Sequence, residues 1–157
     1  MKLLTSRFGE LEIKEEEVIY FKNGVFGFEN FKKYILLNEG GSMFSWLQSI
    51  ESSELAFVLV KPVEFVIDYI LDIDEPDAQD LKIEENDDTT VFCIVIIPDD
   101  TSKMTGNLQG PIVINTTKNI GKQVISLNSK HKLKHPIVEE LHKKMKKDKS
   151  SQKERED

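Results

Sequence analysis

A single cysteine, Cys93, stands in 157 residues, so the chain forms no internal disulfide and does not read as a cross-linked secreted scaffold. No window approaches the roughly 18 consecutive apolar residues that a membrane-spanning helix needs. The opening Met1–Arg7 has no apolar signal core. There is no glycine-rich phosphate loop, no Gly-x-Ser-x-Gly elbow and no His-Glu-x-x-His pair. These absences argue against membrane insertion, nucleotide-driven chemistry and the commonest hydrolytic sites. The expectation is a cytoplasmic protein.

What is present suffices to fold. Apolar residues make up 39% of the chain and charged residues 31%, which suits one ordinary domain with its own core. The net charge of −7 hides an asymmetry. Residues 1–100 carry 22 acids and 8 bases, whereas residues 101–157 carry 6 acids and 13 bases. The acids peak between Asp72 and Asp88, where nine face one base, Lys82. Such a body repels nucleic acid and steers basic proteins towards it; equally, surface acids serve solubility without any partner.

The hydrophobic pattern is that of short strands. Phe8–Ile13 alternates apolar with polar or small residues, and Val18–Phe21 is a second β-type run. Asn23-Gly24 supplies a turn, because both residues accept positive φ. Gly24–Glu29 reads as an irregular loop packing its own phenylalanines. Tyr34–Leu37, Met43–Ile50 and Leu55–Val60 follow as strands, with Phe44, Trp46 and Gln48 on one face of the second. The unbroken apolar run 55–60 predicts burial on both faces. Val63–Ile67 and Tyr69–Ile73 continue the series after Pro62. Pro76 opens a short helix with acids in its first turn. Thr89–Ile97 is the strongest strand, and Met104–Leu108, Pro111–Asn115 and Lys122–Leu127 are the last. Regular spacing of short strands predicts a mostly antiparallel sandwich or small barrel. Beyond it, Ile137–Met145 carries a helical apolar stripe, and Lys146 onward reads as a frayed or disordered tail.

The residues that carry chemistry are sparse. Cys93 sits inside an apolar strand, which predicts a buried, inert thiol. His131 and His135 are four apart, but Pro136 disfavours helix there and no further ligand joins them; His131, His135 and His142 read as surface residues. Asp72–Asp77 has a faint look of a calcium loop without its glycine, and Ile83 stands where the closing glutamate belongs. A solvated acidic face is the simpler reading. The expectation is therefore no catalytic residue, no metal and no cofactor.

The segments Phe8–Ile13, Phe21–Glu29, Trp46–Ser49, Leu55–Val58 and Met104–Asn115 stand in an order and spacing that resemble the FliW family of flagellar assembly factors. Gly121–Ile125 and the His135-Pro136 close continue the likeness, which covers residues 1–137. The chain departs from the family at Lys22 and Phe26, where proline is common. The resemblance implies a mostly β, antiparallel barrel-like domain over 1–137 with one short helix, followed by a lysine-rich helical or disordered tail over 138–157. It implies two protein partners: flagellin, bound in a chaperone-like way, and the RNA-binding translational regulator CsrA. Flagellin occupies the factor until secretion depletes it. The freed factor then binds CsrA away from its RNA surface and relieves repression of flagellin translation.

Candidate contacts are Asp72, Asp74, Asp77, Asp80, Glu84 and Glu85, with Met104, Asn107 and Asn115 taken as exposed positions nearby. The segment 104–115 reads equally as a hairpin holding the barrel closed. No direct nucleic-acid or membrane contact is expected, and the free protein is expected to be a monomer. Two other readings stand beside this one: a β-barrel hydrolase working through Asp or Glu, which a deep pocket with perturbed acids would favour, and a nucleic-acid-binding barrel, which salt-dependent RNA binding would favour.

Overall fold

The computed structural model describes residues 1–38 and 40–156, with side chains to Lys147. The strands are β1 (Lys2–Thr5), β2 (Gly9–Glu12), β3 (Ile19–Tyr20), β4 (Lys33–Asn38), β5 (Phe44–Ser49), β6 (Ala56–Val60), β7 (Thr89–Ile96), β8 (Thr105–Gly106), β9 (Ile112–Asn115), β10 (Ile120–Gln123) and β11 (His135–Pro136). The helices are α1 (Glu75–Asp80) and α2 (Ile137–Glu156).

Strands β3 to β7 with β9 and β10 close on themselves in the order β7-β6-β5-β4-β3-β10-β9, and β9 returns to β7. The result is a seven-stranded barrel, the closure that removes sheet edges. Every pairing is antiparallel except one: β10 meets β3 in parallel through Ile120 and Tyr20. The barrel interior holds Ile19, Phe21, Tyr34, Leu47, Leu59, Phe92, Ile112 and Ile114. Three covers sit on its outside. The β1–β2 hairpin buries Leu3 and Ile13 on Ile35. Helix α1 and its flanks bury Leu81 on Val113 and Val124. Helix α2 sets Ile137 and Leu141 against Val60, Phe65, Cys93 and Leu108. β9 is thus buried on both faces, the condition expected for β6. In β6 only Leu59 and Val60 are buried; Ala56 and Val58 line an open depression with Arg7 and Trp46.

Four expectations need correction. Residues 63–73 form no strand: a 3-10 turn over Pro62–Glu64 is followed by an irregular stretch in which Asp68 takes φ +57°, which interrupts any pairing. β10 ends at Gln123 rather than Leu127. Val124 N and Ser126 N still donate to Pro111 O and Gln109 O, but Pro111 has no N–H with which to continue a ladder. β8 and β9 do not pair as a hairpin; β8 lies between β7 and β11, while β9 joins β7 to β10. The first residues form β1, which the sequence reading passed over.

The histidines also differ from the reading as surface residues. His131 is 6% exposed, stacks on Tyr69 with ring centroids 5.0 Å apart, and its Nδ1 lies 2.6 Å from Ser126 Oγ. His135 is half-buried, with Nε2 3.8 Å from Glu140. His142 is exposed. His131 is thus covered by Tyr69 and the 126–131 turn, and His135 lies between Phe65 and Glu140 at the start of α2.

Candidate protein-docking face

The acid-rich segment is built as a buttressed face. Asp74 is the N-cap of α1, its carboxylate accepting from Asp77 N at 3.0 Å. Glu75 and Asp77 fall in the first turn, where the helix dipole favours acids. Lys122 on β10 reaches up to Asp77 at 2.7 Å and Asp80 at 2.5 Å. Burial works against the Lys122 charge, but the two carboxylates outweigh it and hold its pKa above the ordinary value. The same bond to Lys122 holds the Asp80 carboxyl below its usual range.

A second fastening lies one turn on. Asn115 is fully buried, and its Nδ2 donates to Leu81 O and Asp87 Oδ2, each at 3.0 Å. Its Oδ1 accepts from Lys118 N. Lys118 Nζ reaches Lys82 O, Glu84 and Asp87 at 2.6, 3.1 and 2.9 Å. The Asp87 carboxyl is held below its usual range by Lys118, Asn115 and the Glu84 amide, in that order. Two lysines from the basic part of the chain therefore sit inside the acidic face and tie it to the barrel.

Outside these fastenings the face is open and partly apolar. A cleft of about 520 Å³ is walled on one side by Ile70, Asp72, Ile73 and Asp74, and on the other by Ser126, Leu127 and Asn128. An adjoining depression of about 370 Å³ shares Asp74 and Leu127 with it and adds Phe26 and Ile125. Leu127 is 89% exposed, Ile70 and Ile125 are each 67%, and Phe26 is 51%. Four large apolar side chains turned to solvent beside acids are the signature of a contact surface rather than of scattered surface residues.

The predicted contact residues thus divide. Asp72 and Asp74 rim the cleft; Asp77, Asp80 and Glu84 are ion-paired on the same face; Glu85 is exposed on the loop after α1. Met104 and Asn107 lie elsewhere, and Asn115 lies beneath the face rather than on it. Met104 packs into the cluster beneath α2. Asn107 shapes a turn, its Oδ1 accepting from Gln109 N and Gly110 N at 3.0 Å each. Asn115 is not exposed, as expected from sequence, but buried beneath Leu81 and Asp87. The apolar half of the face, Phe26, Ile70, Ile125 and Leu127, was missed. Its signal was the alternation Ile70-Leu-Asp-Ile-Asp74, which puts Leu71 and Ile73 inward and turns the rest out.

The chemistry of buried groups is quiet. Burial pushes the Cys93 thiol up to about 12, far from a thiolate at neutral pH. Among the described residues no three His, Cys, Asp or Glu side chains converge as a metal site. No described helix is long and apolar enough to cross a membrane. The guanidinium of Arg7 lies over Trp46, its central carbon 3.9 Å from the ring centroid.

A filled, closed barrel leaves the fastened acidic and apolar outer face, rather than an internal pocket, as the candidate contact surface. The family model described as FliW protein matches residues 2–137. Flagellar assembly factor FliW of Thermoanaerobacter pseudethanolicus is 41% identical over 143 residues, covering 90% of this chain and 95% of that one. The protein of the same name from Treponema denticola is 39% identical over 141 residues, covering 90% and 96%. A crystal structure of the flagellar assembly factor FliW superposes with a TM-score of 0.82 at 35% identity, covering 87% of this chain and 96% of that one. The chain belongs to the FliW family of flagellar assembly factors.

Proposed function

We propose that this protein acts in the cytoplasm as a partner switch, binding flagellin and, when flagellin is scarce, binding CsrA and relieving its repression of flagellin translation. The observation that carries the reading is the acidic face with exposed Ile70, Ile125 and Leu127 at its centre. A regulator that holds RNA must be basic. Residues 1–100, with 22 acids and 8 bases, attract such a partner from a distance. Apolar contacts then supply the short-range affinity that charge alone does not. Once docked, the acids lower the potential felt by phosphate, so RNA is released without its own surface being covered. The antagonism is therefore non-competitive.

The test is a binding assay of the purified protein against CsrA and flagellin from the same organism, each competing with the other. Binding of both, with mutual displacement, is the expected outcome. The triple variant Asp72→Lys, Glu75→Lys and Glu85→Lys alters exposed acids outside the Lys118 and Lys122 fastenings. It should weaken CsrA binding at low salt on the order of tenfold or more. Unchanged binding by that variant, or no binding of either protein by the parent, refutes the proposal.

A further inference from the structure

The cleft wall has a property that charge and apolarity do not describe. Beyond the hydrogen-bonded turn at residues 67–68, no backbone N–H or C=O group from Ile70 to Ile73 has a hydrogen-bond partner among the described residues. The stretch leaves the left-handed Asp68 and ends where Asp74 caps α1. Its side chains alternate as a strand's do: Ile70, Asp72 and Asp74 outward, Leu71 and Ile73 inward on Leu81, Val113 and Val124. It is strand-like in all but a neighbour. The opposite wall is the extension of β10. Val124 and Ser126 donate to Pro111 and Gln109 on one side, which turns the N–H groups of Ile125 and Leu127 towards the other, where they find no protein acceptor among the described residues. The barrel is closed, so these are the free strand edges that border the cleft.

We propose that the cleft between residues 70–74 and 125–128 accepts an extended peptide from a partner protein by strand addition, and that this peptide carries both apolar and basic residues on the one face it shares with Ile70, Asp72 and Asp74. Main-chain hydrogen bonds to the unpaired groups give affinity, as in other edge-strand recognition. Apolar side chains of the guest fall on Ile70, Ile125 and Leu127, while its lysines or arginines meet Asp72 and Asp74. A second copy of this chain presenting the same face brings acids against acids, which disfavours it as the occupant. The inference rests on the reading of this face as a docking surface, and it adds the secondary structure and residue pattern of the guest.

The probe is a capped octapeptide of two Thr-Val-Thr-Lys repeats, which puts valine and lysine on one face, added to the full chain and followed by amide hydrogen exchange. Exchange at 70–73, Ile125 and Leu127 should slow by about tenfold or more at saturation, since protection follows hydrogen bonding. A peptide N-methylated at alternate residues keeps the side chains and loses one edge of donors; it should bind at least about tenfold more weakly. Leu127→Glu, at an exposed position, should weaken the parent peptide while leaving the fold intact by circular dichroism. Equal binding of the N-methylated peptide, or no slowing at these amides, overturns strand addition. Slowing that grows with protein concentration without peptide means a second copy fills the cleft, and also overturns it. Flagellin or CsrA binding that leaves these amides unprotected overturns this inference alone; peptide protection without either partner binding overturns the partner assignment alone.

Discussion

Gly121 follows Ile120, where the barrel closes in parallel on Tyr20, and replacing it by alanine puts a number on the packing at that closure. The tip of the Phe21 ring, fully buried, abuts Gly121: a Cβ there falls 2.5 Å from Phe21 Cε1 and 2.8 Å from Cε2, and closer still to Cζ. Carbon atoms in contact rest at about 3.5–4.0 Å, so the ring or the strand must retreat by about an ångström. The ring has nowhere to go, since Tyr34 packs on it edge-to-face with centroids 5.2 Å apart. The strand is equally held, through Tyr20 N donating to Asn119 O and the pairing of β10 with β9. Overpacking of this kind costs typically 1–3 kcal/mol, and Gly121→Ala belongs at the upper end, about 3 kcal/mol. For a chain of this size that is a fall in Tm of roughly 6–12 °C, read by thermal or urea unfolding. Phe21→Leu loses ring contacts by itself but frees the space. In that background the added cost of Gly121→Ala should drop below about 1 kcal/mol, a coupling that a double-mutant cycle isolates. An alanine variant within about 2 °C of the parent, or one whose cost is the same in both backgrounds, refutes the packing argument.

Asn115→Ala leaves Leu81 O without its donor and the Asp87 carboxylate without one of its own; urea unfolding should show a loss of about 1–3 kcal/mol. Lys122→Met leaves Asp77 and Asp80 facing each other without a cation, so amide exchange should quicken across α1 while the barrel strands keep their protection. His131 has its pKa lowered by burial and then by His135; the unfolded chain takes up its proton first as pH falls through about 6.5, so stability should decline on acidification below that pH, and His131→Phe should flatten the decline. Cys93, with its thiol raised to about 12, should resist iodoacetamide at pH 8 in the folded protein and react on unfolding in urea.

Most of the barrel was legible because its strands obey period two and its turns use the residues turns require. Asn23-Gly24 turns with Gly24 at φ +66°, and Thr89–Ile96 is a strand as its apolar run predicts. The likeness in residues 1–137 ordered these pieces, since the closing contact of β9 with β7 joins positions that no local pattern connects. What failed was reading apolar runs as strands where the partner is missing. Val63–Ile67 and Tyr69–Ile73 have strand composition, yet no neighbouring strand reaches them, and composition reports burial rather than pairing. The same limit hid half of the face. The acids between Asp72 and Asp88 stand out in any charge count, whereas Ile125 and Leu127 look like the end of a buried strand. Nothing local tells that Pro111 stops the ladder and turns them to solvent.

The division of charge along the chain takes on a different meaning in three dimensions. Read linearly, an acidic body precedes a basic tail. In the fold, Lys118 and Lys122 from the later part are spent on the acidic face, and they act there as fasteners rather than as neutralisers of its rim. An acidic patch meant to attract a partner repels itself, and that self-repulsion loosens the compact state. Pairing Asp77, Asp80, Glu84 and Asp87 with two lysines that are themselves mostly covered removes the repulsion where the helix meets the barrel. Asp72, Glu75, Glu85 and Asp88 remain exposed. The face can therefore keep a net negative field outward and a neutral, hydrogen-bonded underside. That division predicts opposite signatures for two kinds of substitution. Removing an exposed acid such as Glu85 should alter the salt dependence of partner binding and leave Tm unchanged. Removing Lys122 should lower Tm and leave the long-range attraction intact or stronger, because the face gains net negative charge. If Lys122→Met lowers partner association at low salt while Tm holds, the lysine is a contact residue and the buttress argument is wrong.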